Sequence, residues 1–294
     1  MRWNKITLVG VGLLGGSLGL ALRRRKLAKL VAGYVRREAS LKDCERAGAV
    51  DFATTDLLAA VSDADLVVLC TPLAQMKPLV NQMLPALKKG AIITDVGSAK
   101  GSVVKEIESL IAKAGGSFVG SHPMAGAEKT GVMAAREDLF ECAVCVVTPT
   151  KRSKHAAVSK VGKLWKSVGG RVLHLSPQTH DALVSRSSHL PHIVAAALAS
   201  AVLNPANAKQ IAKLCATGFR DTTRVASGSP EMWRDIALAN RPALCSALDD
   251  FLRELQTVRA MLRAGQGDAL LRFFQTAKQR RDNWCEQCAS SSSE

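Results

Sequence analysis

The chain has 294 residues, of which 47% are hydrophobic and 22% charged, with a net charge of +15. That composition describes a globular, soluble chain with room for about two domains, and no stretch reads as a comfortable membrane span. The basic excess lies mainly in the second half, where residues 151–294 carry 21 Lys/Arg against 11 Asp/Glu. Only 4% of residues are aromatic and no nucleic-acid motif accompanies the charge, so small polyanions rather than nucleic acid are the expected partners.

The first element is a strand, Ile6 to Val9, running into Gly10-x-Gly12-x-x-Gly15 and a helical pattern that opens on Leu13 and Leu14. A second strand pattern ends at Tyr34-Val35-Arg36-Arg37. This is the first βαβ unit of a dinucleotide-binding sheet: glycines allow a tight turn and close backbone approach, and the helix N-terminus receives the pyrophosphate. An acidic residue at the end of the second strand would bind the ribose 2′-hydroxyl of NAD; Val35 stands there, followed by two arginines. Arg36 and Arg37 therefore point to a 2′-phosphate, and so to NADP, with NAD as a possible second cofactor. The cluster Arg23 to Lys26 follows the apolar run instead of preceding it, which sets a signal peptide aside.

A helix is expected from Ala39 to Ala47, then a buried parallel strand from Ala64 to Cys70, broken by Thr71-Pro72. A helix with Met76, Leu79, Val80, Met83 and Leu84 on one face follows, then a strand at Ala91 to Asp95 and a helix from Ser102 to Ala114. Ser117 to Gly120 and Cys142 to Thr148 should complete one mostly parallel sheet. Thr71-Pro72, Val96-Gly97-Ser98 and Ser121-His122-Pro123 then line a single crevice at the strand C-termini.

Beyond about residue 150 only Arg171 to His174 reads as strand, and the rest as helix, including one long apolar segment at 180–203. Leu244, Leu248, Phe251, Leu255, Val258 and Leu262 form a heptad stripe, read as a helix packed in its own subunit or against a twin in a homodimer. The expected division is a dinucleotide-binding domain at 1–150, extending to about 175, a helical substrate and dimerisation domain at 176–288, and a disordered tail at 289–294. The fold class is α/β, a Rossmann-type domain followed by an all-helical one.

Eight cysteines include the pairs Cys142/Cys145 and Cys285/Cys288. The first lies in a strand-like run, where residues three apart face opposite ways, and the second near a frayed tail. No metal site is expected, and reduced thiols suit a cytoplasmic location.

Four clusters carry polar groups suited to chemistry. Ser98 follows a strand and is either a helix cap or a site residue. His122 sits in a loop at a strand end, pinned by Pro123, as a general base would be. Ser188-His189-Leu190-Pro191-His192 opens an apolar helix, and the blocks at 218–224 and 232–235 bring Asp221, Arg224 and Trp233 into the basic half. An arginine fork suits a carboxylate substrate.

Together DVGSAKG, GSHPMAGAEKTG, SHLPH and GFRDTTRVASGSPEMWRDI resemble the prephenate/arogenate dehydrogenases of tyrosine biosynthesis, over nearly the whole chain. The resemblance implies oxidation of a cyclohexadienyl alcohol by hydride transfer to NAD(P), with loss of the ring carboxylate. It implies catalytic roles for His122 and Ser98. Arg224, His192 and Trp233 become binding residues for a small dicarboxylate substrate; His189 is pocket or packing, and Glu128 and Asp221 lie near the pocket entrance. Gly10, Gly12, Leu13, Leu14, Gly15, Arg36, Arg37, Thr71, Pro72 and Ser98 become cofactor-binding residues. Many members read Gly-Tyr-Asp where this chain has Gly33-Tyr34-Val35, a departure that favours NADP. The chain is expected to end near the end of the family's catalytic region, without a regulatory domain. The rival readings are a two-domain enzyme of the β-hydroxyacid dehydrogenase type, which uses a lysine acid/base, and a non-catalytic NADP-sensing regulator. The sequence leaves prephenate against arogenate open.

Overall fold

A computed structural model of the chain describes residues 2–127, 129–204 and 208–290. Its elements, in order, are β1 (Trp3–Val9), α1 (Leu13–Arg24), β2 (Ala28–Tyr34), α2 (Ala39–Ala47), β3 (Phe52–Thr54), α3 (Leu57–Val61), β4 (Leu66–Leu69) and α4 (Leu73–Met83). Then come β5 (Ile92–Asp95), α5 (Gly101–Lys113), β6 (Ser117–Phe118), β7 (Gly120–Pro123), β8 (Val144–Thr148), α6 (His155–Ser167) and β9 (Arg171–His174). Helices α7 (Pro177–Val184), α8 (Leu190–Val202), α9 (Ala208–Ala212), α10 (Thr217–Thr223), α11 (Pro230–Ala239), α12 (Arg241–Arg263) and α13 (Gly267–Ser290) follow.

Six strands form a parallel sheet in the order β3-β2-β1-β4-β5-β6. The order reverses between β1 and β4, the switch point at which such sheets open a crevice at their carboxyl ends. Register places the strand ends level: Val9 is opposite both Tyr34 and Leu69, and Leu69 is opposite Asp95. The strands are apolar on both sides because helices cover both faces. Leu66 and Val68 join Leu18 and Leu22 of α1 and Trp165 of α6 in one layer. Val67, Leu69 and Ile93 join Met76, Val80 and Met83 of α4 and Ile107 of α5 in the other.

The expected single sheet is corrected. After Phe118 the chain leaves the main sheet and β7 begins a second one, β7-β8-β9, with β7 antiparallel to β8. The strand after Cys142 therefore pairs with the histidine-bearing segment, His122 opposite Val146, instead of extending the parallel sheet. Cys142 itself precedes β8 at a φ of +59°. The long apolar segment also differs from a single helix: a π-helical turn, Ser185–His189, joins α7 to α8. Pro191 lies in the first turn of α8, where a proline lacks no needed N–H, and the widened turn before it relieves the clash its ring would impose.

The chain forms two compact units, Met1–Arg241 and Pro242–Glu294. In the second, α12 and α13 are joined at Gly265, whose φ is +62°. The heptad stripe lies on α12 with Leu244 buried and Leu255 and Leu262 exposed. Cys285 and Cys288, expected near a frayed tail, are within α13, as is the backbone of Ala289 and Ser290; residues 291–294 of the expected tail lie outside the described residues.

Candidate active site

The Gly10–Gly15 turn is built by close packing. Gly10 has a φ of +98° and donates its N–H to the Tyr34 carbonyl at 2.9 Å. A Cβ at Gly15 would lie 2.1 Å from the Gly10 carbonyl oxygen, so backbone touches backbone there. At Gly12, the N-cap of α1, a Cβ would meet nothing within 4 Å. Open space over bare N–H groups at a helix start is what a pyrophosphate needs. Leu13 and Leu14 begin the helix and pack on the core beneath. Across the switch point Thr71 approaches Gly10, and its buried hydroxyl finds no hydrogen-bond partner among the described residues; Pro72 caps α4 beside it. At the end of β2, Val35 is buried while Arg36 and Arg37 are exposed. The residues present fit a dinucleotide.

Beside this cradle lies a group of buried polar side chains. His122 on β7 is 8% exposed, and its Nδ1 is 2.9 Å from His180 Nε2 on α7. His180 Nδ1 is in turn 2.8 Å from Asp181 Oδ1. The Asp181 carboxylate accepts the N–H groups of Lys100 and Gly101, each at 2.8 Å, and so caps α5 from a distant helix. Ser98 is not that cap; it sits in the bend before α5, half-buried. Burial opposes ionisation of Asp181, yet the bonds from His180, Lys100 and Gly101 outweigh it and hold the carboxyl below its usual range.

Lys100 is fully buried. Its ammonium pairs with Asp95 and donates to the Ser121 carbonyl at 2.8 Å. Asp95 also accepts from Gly97 N at 2.9 Å and Ser121 N at 3.1 Å, which ties β5 to β7. Burial, then the nearby Lys100 charge, then His180 and His189, hold the His122 imidazole well below its ordinary pKa. It is therefore neutral at neutral pH, the form that accepts a proton.

His189, in the π-helical turn, is wholly buried, and Asn240 Nδ2 lies 3.2 Å from its Nδ1. Burial pushes its pKa down to about 4, against the pull of Asp181 and the Ser98 backbone. Among the described residues its Nε2 has no hydrogen-bond partner. His192 stacks on Trp233 with ring centroids 3.5 Å apart, and His189 meets the same indole edge-on at 6.2 Å. Ser229 caps α11 to set Trp233 in place, and Gly228 is required because a Cβ there would lie 2.7 Å from the indole nitrogen. Burial lowers the His192 pKa, the Ser188 carbonyl opposes this, and the Arg224 charge adds to it. Asp221 is exposed and pairs with Arg220 at 3.7 Å. Glu128 lies outside the described residues.

Lys100, His180, Asp181 and Asn240 carry no role in the sequence reading. A lysine at a helix N-terminus, where the dipole disfavours a cation, was a signal that a buried anion must lie nearby. Among the described residues no group of three or more His, Cys, Asp or Glu could hold a metal ion, and no helix is long and apolar enough to cross a membrane.

A dinucleotide cradle at the parallel sheet, with a buried, neutral histidine on the strand that Asp95 ties to β5, defines an NAD(P)-dependent oxidoreductase. Residues 18–174 match the family model described as prephenate dehydrogenase, nucleotide-binding domain, and residues 176–276 its dimerization domain. The chain is 36% identical to prephenate dehydrogenase of Bacillus subtilis over 95% of its length and 76% of that protein's. It is 35% identical to cyclohexadienyl dehydrogenase of Zymomonas mobilis, over 95% of both chains. The crystal structure of prephenate dehydrogenase from Aquifex aeolicus in complex with hydroxyphenyl propionate and NAD+ superposes with a TM-score of 0.89 at 31% identity, covering 96% of this chain and 98% of that one. The chain belongs to the prephenate dehydrogenase family, as an oxidoreductase of the prephenate/arogenate dehydrogenase type. The β-hydroxyacid and regulator alternatives are not favoured.

Proposed function

We propose that the chain catalyses oxidative decarboxylation of prephenate to 4-hydroxyphenylpyruvate, with arogenate as a further substrate giving tyrosine, and that it prefers NADP. The observation that supports this reading best is His122, buried and held neutral, next to Ser121, which Asp95 ties to the carboxyl end of β5. The bound nicotinamide supplies the hydride acceptor. As hydride leaves the ring carbon, His122 takes the proton of the hydroxyl on that carbon. The carbon–carboxylate bond then breaks, carbon dioxide departs, and the electron pair enters the ring, leaving a phenolate oxygen to which His122 returns the proton. Ser98 orients the hydroxyl and the histidine. Arg224 holds a substrate carboxylate, while His192, Trp233 and His189 wall the pocket, with Asp221 at its mouth. Positioning and exclusion of water are the protein's main contributions, because aromatisation drives the decarboxylation.

NADP preference is supported by buried Val35 where an acid would bind a 2′-hydroxyl, and by Arg36 and Arg37 exposed beyond it. The working division is a dinucleotide domain at 1–150, reaching about 175, and a helical substrate and dimerisation domain at 176–288. Homodimer formation through the latter is supported by exposed Leu252, Leu255, Leu262, Leu271, Phe274 and Trp284 on α12 and α13. The test is a spectrophotometric assay of prephenate and arogenate, each with NAD and NADP, on the native chain and on His122→Asn. Turnover of prephenate should fall at least about 100-fold in the variant. Normal turnover in the variant would refute the assignment.

A further inference from the structure

We propose that His180 and Asp181 are positioning residues for His122, forming a relay that fixes the imidazole proton on Nδ1 and leaves Nε2 as the base. This rests on the reading of His122 as the proton acceptor, and it follows from tracing donors and acceptors along the buried chain. Asp181 is held in its ionised form and can only accept, so the proton in the 2.8 Å contact belongs to His180 Nδ1. When His180 holds a single proton, that proton lies on Nδ1 and its Nε2 is bare. The 2.9 Å contact to His122 then requires His122 Nδ1 to be the donor. A neutral His122 with its proton on Nδ1 has its lone pair on Nε2. While Asp181 stays ionised and His180 holds one proton, these assignments run in one direction only, and three further bonds keep Asp181 in place. Two are the N–H groups at the start of α5. The third is Asn240 Nδ2, which donates to the Asp181 backbone carbonyl at 2.9 Å.

The same chain also handles the charge created by catalysis. When Nε2 takes the hydroxyl proton, the proton on Nδ1 can pass along the 2.9 Å nitrogen–nitrogen contact to His180 Nε2. The positive charge then sits on the ring that touches Asp181, and no proton is lost from the pair. His180 is wholly buried, so solvent cannot provide this stabilisation in its place. A residue that merely capped α5 would need the carboxylate of Asp181 but not the imidazole between it and His122.

The experiment begins with the unaltered protein, labelled with 15N-histidine, in long-range proton–nitrogen NMR. His122, identified by loss of its signals in His122→Asn, should carry its proton on Nδ1; a proton on Nε2 overturns the relay without any appeal to a variant's folding. His180→Leu, checked by thermal melting and by NADP binding, should lower kcat about 100-fold while KM for prephenate changes less than about 3-fold. It should also shift the His122 proton towards Nε2. His180→Gln, whose side-chain oxygen can accept from His122, should recover at least about tenfold of the lost kcat. A folded His180→Leu with the native kcat overturns the relay. If His122→Asn is inert in that case, the base assignment stands alone; if His122→Asn is active, the base assignment itself is wrong.

Discussion

Acidification probes whether the imidazoles of this site are buried in their neutral form. His189 has a folded-state pKa of about 4 because it is buried, whereas an unfolded histidine titrates near 6.5. Below pH 6.5 the unfolded chain therefore binds a proton that the folded chain refuses. The contribution of this residue to stability is complete above 6.5, falls as pH drops, and is exhausted once pH passes about 4. The gap of about 2.5 pH units, at about 1.36 kcal/mol per unit, gives a loss of about 3 kcal/mol from His189 alone. His122, also held well below its ordinary value, adds a loss of the same sign in the same range. Asp65 and Asp181 are depressed carboxylates and respond only below about pH 4, so they do not blur the window. Urea unfolding at about pH 7.5, 6.5, 5.5 and 4.5, extrapolated to water, measures the effect. In His189→Gln the slope near pH 5.5 should decrease by about 1.36 kcal/mol per pH unit, the value for one proton. Stability that stays flat from pH 7 to 5, or a slope unchanged in the variant, would refute the burial argument.

Three more outcomes follow from named contacts. Lys100→Met leaves Asp95 buried without its cation and should cost about 3–5 kcal/mol in urea unfolding, with partial recovery on adding Asp95→Asn; a loss under about 1 kcal/mol would count against the pair. Gly15→Ala forces a methyl onto the Gly10 carbonyl, so Kd for the dinucleotide should rise at least about tenfold by calorimetry, and an unchanged Kd would contradict the cradle. Arg36→Ala should raise KM for NADP about 10- to 100-fold, the loss of one charge-assisted bond, and leave KM for NAD nearly unchanged; equal effects on both cofactors would remove the 2′-phosphate role.

Much of the parallel sheet is legible because each buried strand is a short apolar run and each turn after it is marked by Gly, Pro or Thr. The Gly10–Gly15 turn and His122 are legible for the same reason: their chemistry is local. The second sheet is not, since β7 and β8 look like any other strands and only pairing across about twenty residues separates them from the first. His180 and Asp181 leave no local mark either. His122 and His180 are 58 residues apart, and Asp181 reaches the start of α5 from 80 residues away. On the sequence they are two polar residues in the first turns of a capped helix, a placement that surface residues share. Lys100 was visible in DVGSAKG, but hydrophobicity patterns read a lysine as exposed, and only the Asp95 partner makes its burial tolerable.

The charges around His122 give a reason for this costly arrangement. In the resting site Asp95 and Lys100 cancel, and Asp181 remains as one buried negative charge near the neutral rings of His122 and His189. That unbalanced charge is a cost before reaction, lowered by the two N–H groups of α5. In the proposed reaction the substrate hydroxyl gives up its proton to His122, an imidazolium forms within the same enclosure, and the excess disappears. The interior is thus better matched to the state after proton transfer than to the state before it, and only interactions of that kind accelerate a reaction. Lys100 sets the limit on this effect. Its ammonium disfavours a proton on His122 in the resting enzyme, so the base is free at neutral pH, and it does so from a fixed pair that does not reorganise. Without Lys100, His122 would be the stronger base but would also be protonated over more of the neutral range, and less able to accept a proton when the alcohol arrives.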